Sequence, residues 1–234
     1  MAGRGIRIWR KRGWLWRALI VLLAVFVAAP VLLLLLFRFL PVEPGTPEML
    51  LSLLQGKGAH YAWRDDITPV LGRTVIGSED QNFCSHHGFD WNQMNRAMED
   101  YRRGRPLRGA STLSQQTART LFLAPVRSWV RKGLEAYLTV MIEALWPKKR
   151  ILNAYLNLVD WGHGNFGAEA AARAYFHTSA ARLTRVQAAR LAAILPDPTK
   201  WNAADPGPYV AGRTRALLGQ AAVVSRDNLD FCVR

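Results

Sequence analysis

The sequence predicts a mainly α-helical protein with an N-terminal transmembrane helix, and three observations predict it. Residues 18–37 form a run of 20 without a charge, which is the helix length that spans the roughly 30 Å hydrocarbon core of a bilayer. From Thr68 onward apolar residues recur every three or four positions, in segments opened by capping residues and closed by glycine or proline. The same region shows no internal repeat and no convincing series of strands.

The chain begins with a basic tail, residues 1–17. Residues 1–42 hold Arg4, Arg7, Arg10, Lys11, Arg12, Arg17 and Arg38 and no acid, which is half of the formal net charge of +14. A cleavable signal peptide usually has an apolar core of about 7–15 residues. This one runs well past Ala28-Ala29, so it reads as an uncleaved anchor. Pro30 is a candidate kink of the kind membrane helices tolerate, and Trp9, Trp14 and Trp16 fit an interfacial belt. Basic residues ahead of the anchor place the tail in the cytoplasm and the rest of the chain outside. A basic cluster set directly against a membrane helix argues against a nucleic-acid tail. Pro41, Pro44, Gly45 and Pro47 mark a linker, and residues 38–59 read as a membrane-proximal segment. A folded domain then covers 60–225, with a short tail at 226–234. Cys84 and Cys232 permit one disulfide without requiring it, and their spacing matches no metal pattern.

Within the domain, Tyr61-Ala62-Trp63-Arg64 reads as a short strand. Thr68 and Pro69 suit the cap and first position of a helix. Leu71, Val75 and Glu79 fall at i, i+4 and i+8, so Glu79 extends an apolar stripe and sits at a helix C-terminus. Both effects raise a carboxyl pKa toward what a general base needs; a solvated Glu79-Asp80 pair is the plainer alternative. Asp90 with Gln93 opens the next helix, where Trp91, Met94, Met98 and Tyr101 share one face; Gly104 ends it, and Arg102, Arg103, Arg105 and Arg108 mark a basic loop. Thr112 with Gln115 is a capping box. A long helix follows from about Ser128 to Trp146, with Leu134, Leu138, Met141 and Leu145 as its stripe. Pro147 separates it from a helix carrying Ile151, Leu152, Tyr155 and Leu158. Gly162, Gly164 and Gly167 punctuate a turn before the alanine-rich helix 168–176. Thr184 with Gln187 caps a helix through Ile194, and the last covers about Val210–Val224.

Three stretches carry chemistry. Gly109–Gln116 is a flexible turn feeding a helix N-terminus, whose free N–H groups suit an anion, with Arg119 one turn on. It also reads as an ordinary capped helix, and Ser111 lacks the Gly-x-Ser-x-Gly frame of a nucleophile. Arg127, Arg131 and Lys132 would clamp a phosphate while Glu135 orients them or holds a metal ion, or Arg131 and Glu135 simply pair at i, i+4. His86 and His87 have no third metal ligand at a diagnostic spacing, and hydrogen bonding to the nearby carboxylates fits better. The basic stretch from Lys148 to Asn157 reads as structural.

Taken in order, these stretches resemble the peptidoglycan glycosyltransferases shared by bifunctional penicillin-binding proteins and monofunctional transglycosylases. Glu79-Asp80-x-x-Phe83-x-x-His86-x-Gly88 is similar to the first family motif, and Gly109-x-Ser111-Thr112-x-x-Gln115-Gln116 to the second. Arg131-Lys132-x-x-Glu135 is similar to the third, and Lys148-x-x-Ile151-Leu152-x-x-Tyr155-Leu156-Asn157 to the fourth. The resemblance covers roughly residues 60–215. The chain ends before a penicillin-binding domain would begin, which implies the monofunctional form.

The resemblance implies a lysozyme-like, two-lobed catalytic domain with a membrane-apposed jaw. It implies that lipid II is polymerised into β-1,4-linked glycan strands on the outer face of the bacterial inner membrane, with inversion and loss of undecaprenyl diphosphate. Carried over, Glu79 is the base and Glu135 assists the leaving diphosphate. Arg119, Arg127, Arg131 and Lys132 hold diphosphates. Asp80, Phe83, His86, Ser111, Thr112, Gln115 and Gln116 complete the expected substrate-binding set. A divalent cation, Mg or Mn, is an expected assistant, although no metal ligands are assigned. Lipid II, the growing strand and cell-wall synthesis or division proteins are the expected partners. Asn153 and Arg119-Thr120 depart from the usual glutamate and Lys-Asn of the family. Two rival readings remain: a lysozyme-like glycan-cleaving enzyme and a non-catalytic cell-wall scaffold.

Overall fold

The computed structural model describes residues 4–42, 45–106, 109–126 and 128–234, with side chains from Trp14 on. It contains two compact units, Met1–Leu40 and Pro41–Arg234. The first is helical: α1 (Arg4–Leu23) and α2 (Ala29–Phe39) are joined by a π-helical turn at Ala24–Ala28. Pro30 has no N–H to give to the residue four before it, and the helix widens at that point. The apolar stretch Trp14–Phe39 is 26 residues long, about 39 Å as a helix, enough to cross a bilayer. It runs beyond residues 18–37 because Arg17 and Arg38 are helical as well, and long cations at span ends reach back to the interface.

The second unit is built on helices. α3 (Pro47–Leu54) starts from Thr46, whose hydroxyl accepts from Met49 N–H. Then come α4 (Pro69–Glu79), α5 (Trp91–Arg102), α6 (Leu113–Phe122), α7 (Trp129–Leu145), α8 (Lys148–Leu158), α9 (Ala168–Phe176), α10 (Arg185–Ile194) and α11 (Pro208–Arg226). α4 packs on α10 and α11, while α6 packs on α7 and α8. The strand expected at 61–64 is only β1 (His60–Tyr61), paired in parallel with β2 (Asn165–Phe166). Buried Asn157 holds the chain beyond it: its side chain accepts from Arg64 N–H and donates to Arg64 C=O, both at 2.9 Å.

Two apolar stripes are covered differently from what their spacing suggests. The face of α5 formed by Trp91, Met98 and Tyr101 is open, with these side chains 63%, 48% and 57% exposed. In α7 the buried seam is Glu135, Leu138, Thr139 and Ile142 instead of Leu134, Leu138, Met141 and Leu145. The seam turns because α6 and α8 approach α7 from the side that also carries Glu135.

Gly167, at φ 85° ahead of α9, is one of the positions where only glycine fits. A Cβ there would lie 2.4 Å from the Asn157 carbonyl oxygen. Gly167→Ala therefore destabilises the domain by more than about 2 kcal/mol, from left-handed strain plus a backbone clash. A denaturant titration measures the loss, and an unchanged midpoint would contradict it.

Candidate active site

Glu79 is placed by the way α4 starts and stops. Thr68 caps the helix and Pro69 occupies its first turn. Leu71, Val75 and Ile76 are fully buried, which fixes the helix against its neighbours. Glu79 is the last helical residue, and at Asp80 the backbone turns extended, with φ −160°. The Glu79 side chain is 16% exposed and looks into a groove of about 240 Å³ whose wall includes Asp80, Gln93, Ser111, Thr112 and Gln220. Gln116 of α6 donates its amide to Glu79 Oε2 at 3.3 Å, and Arg213 of α11 lies 3.8 Å from Oε1. Burial pushes the Glu79 carboxyl above its ordinary value. The Asp80 charge adds to this, while Gln116, Arg213 and Ser78 pull in the opposite direction. Tyr155 of α8 is buried behind this group and donates its hydroxyl to the Gln116 carbonyl oxygen at 3.2 Å.

The turn after Glu79 is held by its own residues. Asp80 accepts from Leu113 N–H at 2.9 Å, and His86 Nε2 stands 2.9 Å from its Oδ1. This ties the turn to the start of α6, where a carboxylate is favoured by the unpaired N–H groups. Thr112 reinforces the joint by donating its hydroxyl to Gly88 C=O at 2.6 Å.

Three residues of the expected substrate-binding set, Phe83, Gln115 and His86, are engaged inside the domain and do not line the groove. The Phe83 ring is completely buried, with the Lys148 ammonium 4.5 Å from its centroid. Lys148 is bound to Glu143 at 2.7 Å, and Glu143 also accepts from Ser114. Gln115 is 3% exposed, and its side chain accepts from Thr112 N–H within the capping box. His86 has only 8% of its side chain accessible and serves Asp80. Asp80, Ser111 and Thr112 do line the groove, and Gln116 reaches it through Glu79.

The basic cluster follows from helical spacing. Ser128 caps α7 by accepting from Arg131 N–H at 3.1 Å. Glu135 then lies four residues after Arg131 and three after Lys132, so both cations reach it from the preceding turn. Glu135 is 1% exposed, and both its oxygens are engaged: Arg131 Nη1 donates at 2.7 Å, and Lys132 Nζ binds the other. Lys132 Nζ also lies 3.3 Å from Ser111 Oγ, which joins the cluster to the groove wall. Arg131 Nε is buried without a partner. Arg119 is half-buried on α6; burial raises both Tyr155 and Glu48 above their ordinary values, and the Arg119 charge opposes this in each case. Arg127 and Arg108 lie outside the described residues.

A protein-held metal does not fit this donor set. Glu135 spends both oxygens on cations, and among the described residues no three carboxylate, histidine or cysteine groups converge. Sequence reasoning missed Arg213, which lies 134 positions beyond Glu79 and gave no local signal, and placed Tyr155 in a helical stripe and in the fourth motif without a role at the site.

A profile described as Transglycosylase matches residues 48–222. The chain belongs to the transglycosylase family. The biosynthetic peptidoglycan transglycosylase of Caulobacter vibrioides is 50% identical over 217 residues, covering 92% of this chain and 94% of that protein. Its counterpart in Chromohalobacter salexigens is 50% identical over 222 residues, covering 92% and 94%. That of Pseudomonas aeruginosa is 48% identical over 228 residues, covering 94% and 97%. Membership in the transglycosylases makes the chain a peptidoglycan glycosyltransferase with a lysozyme-like, mainly α-helical domain, acting on glycan in the cell envelope.

Proposed function

We propose that the groove joins lipid II units into β-1,4-linked glycan, with Glu79 as base and the Arg131–Lys132–Glu135 cluster as the diphosphate site. The observation that carries this reading is the Lys132 ammonium, which bridges Glu135 and Ser111 and so brings the cations to the groove that holds Glu79. Glu79 takes the proton from the acceptor's 4-hydroxyl. The freed oxygen attacks C1 of the donor from the face opposite the diphosphate, which leaves with the C1–O electron pair. Inversion follows from that geometry. A diphosphate is already a good leaving group and needs fixed positive charge more than a proton donor. Cleavage of a glycoside would need an acid against the leaving oxygen and no such cluster. Arg119 and Arg127 supply further charge in this reading. Glu135 orients Arg131 and Lys132 and makes no contact with the sugar.

The membrane setting belongs to the same proposal. The basic N-terminal tail holds residues 1–17 in the cytoplasm, and the catalytic unit works on the outer face of the inner membrane, where a lipid-linked substrate and anchor meet. Protease added to spheroplasts should then remove residues 41–234 while sparing the tail.

The test is the purified full-length chain with lipid II, with glycan length read on a gel. Wild type makes polymer, and Glu135→Gln makes it about 100-fold more slowly because the two cations lose their counter-charge and geometry. Polymer made at equal rates by both would remove the cluster from the mechanism, and fragments released from finished peptidoglycan would favour a cleaving enzyme.

A further inference from the structure

Glu79 faces two opposing demands. Its burial favours the neutral acid, yet only the anion accepts a proton. The residues around it show how the conflict is met. From its own turn comes Asp80, whose charge disfavours ionisation. α6 contributes the neutral Gln116 amide, and α8 the Tyr155 hydroxyl behind it. α10 also packs on α4, and its buried residues, such as Ala188, Ala189 and Leu191, are apolar. The one cation paired with Glu79 among the described residues is Arg213, supplied by α11.

The geometry of that pair is informative. Arg213 Nη2 is 3.8 Å from Glu79 Oε1, close enough for a strong field and too far for a hydrogen bond. Its side chain is 27% exposed, and its Nε is buried without a hydrogen-bond partner. Packing of α11 along α4 holds the guanidinium there, in place of a direct bond to the carboxylate. A fork bonded to both oxygens would stabilise the anion further but would occupy the lone pairs that must receive the proton.

We propose that Arg213 is a positioning residue for catalysis, which holds Glu79 as an anion through its field while leaving Oε1 free to take the acceptor's proton. This rests on the reading of Glu79 as base. The proton moves from the acceptor hydroxyl to Oε1, the new C–O bond forms at C1, and the departing diphosphate keeps the bonding pair. Arg213 exchanges no proton. It shifts the pH at which Glu79 is charged.

The experiment measures kcat/KM for lipid II polymerisation by the full-length chain across about pH 5 to 9, for wild type, Arg213→Met and Arg213→Lys. Loss of a cation at this distance moves the acid limb of Arg213→Met up by about one pH unit, with recovery toward the wild-type plateau at alkaline pH. Arg213→Lys keeps the charge and stays within about threefold of wild type over the same range. An acid limb unmoved in Arg213→Met overturns the proposal. So does a loss in both variants that is equal at every pH, which assigns Arg213 to substrate contact or to packing. The two readings fail separately: a wild type that makes no polymer, or whose rate has no acid limb, removes Glu79 as base before Arg213 is tested.

Discussion

Glu79→Gln stops polymer formation almost completely: the rate with lipid II falls by about 10²–10⁴-fold, the range for loss of a positioned base. The fold is not the reason. Glutamine keeps the shape and still meets the Gln116 amide that Glu79 accepts from. Burial holds the Glu79 carboxyl above the ordinary value of 4.5, with Asp80 adding to it. A carboxyl raised on folding contributes stability below its unfolded pKa and loses that contribution as pH rises through the folded one. At neutral pH the native chain therefore carries the cost of an ionised, largely buried group, and the amide removes it. The variant should unfold at the same temperature as wild type or slightly above, a small stability gain at a functional position. The pH dependence of the rate has the opposite sense: activity of wild type falls as pH drops through the raised pKa, because the base becomes protonated. Polymer made by Glu79→Gln at more than a tenth of the wild-type rate, measured on the same gel, would remove Glu79 as base.

Loss of the Cys84–Cys232 disulfide produces the largest expected change in stability. The bond joins residues 148 positions apart and fastens the turn that carries Asp80 and His86 to the last residues of the chain. A cross-link over a loop of that length restricts the unfolded chain by roughly 3–5 kcal/mol, or about 10 °C in the unfolding midpoint of a domain this size. The C-terminal segment has a second fastening. Buried Asp230 accepts from Arg73 of α4 at 2.7 Å and from Arg234. Burial alone would raise the Asp230 carboxyl, but the two arginines outweigh it and hold it below its ordinary value. That contribution is present above the unfolded pKa and fades as pH falls through the lowered one, so reduction and acid should act together. Thermal melts of wild type and of Cys84→Ser/Cys232→Ser, with and without reductant, check this. Midpoints agreeing within about 2 °C would show that the bond adds little.

The contrast between α5 and α8 shows how far local pattern reaches. Both have apolar residues at helical spacing and both form helices where expected. Only α8 buries its stripe, with Ile151, Leu152, Tyr155 and Leu158 all in the core, while Trp91, Met98 and Tyr101 of α5 remain open. Spacing decides which side of a helix is apolar. It does not decide whether another element arrives to cover that side.

What the sequence by itself determined was whatever depends on neighbours within about one helical turn. The uncharged run made a helix long enough to cross a bilayer. Thr112 with Gln115 and Thr184 with Gln187 started helices because a cap needs only a side chain and an N–H three residues on. The pairing of Glu135 with Arg131 and Lys132 came from the same short-range geometry. The tertiary structure alone decided which motif residues reach the groove. Phe83 and Gln115 sit inside motifs read as substrate-binding, yet packing turned them into the core. Arg213 entered the site from α11, and Cys232 met Cys84 across 148 positions. Such contacts depend on how helices dock, and docking follows the summed burial of whole faces, which no single spacing records. Glu79 stands at the boundary between the two: its place at the end of an apolar stripe was readable in the chain, and the groove, the amide and the cation around it were supplied by the fold.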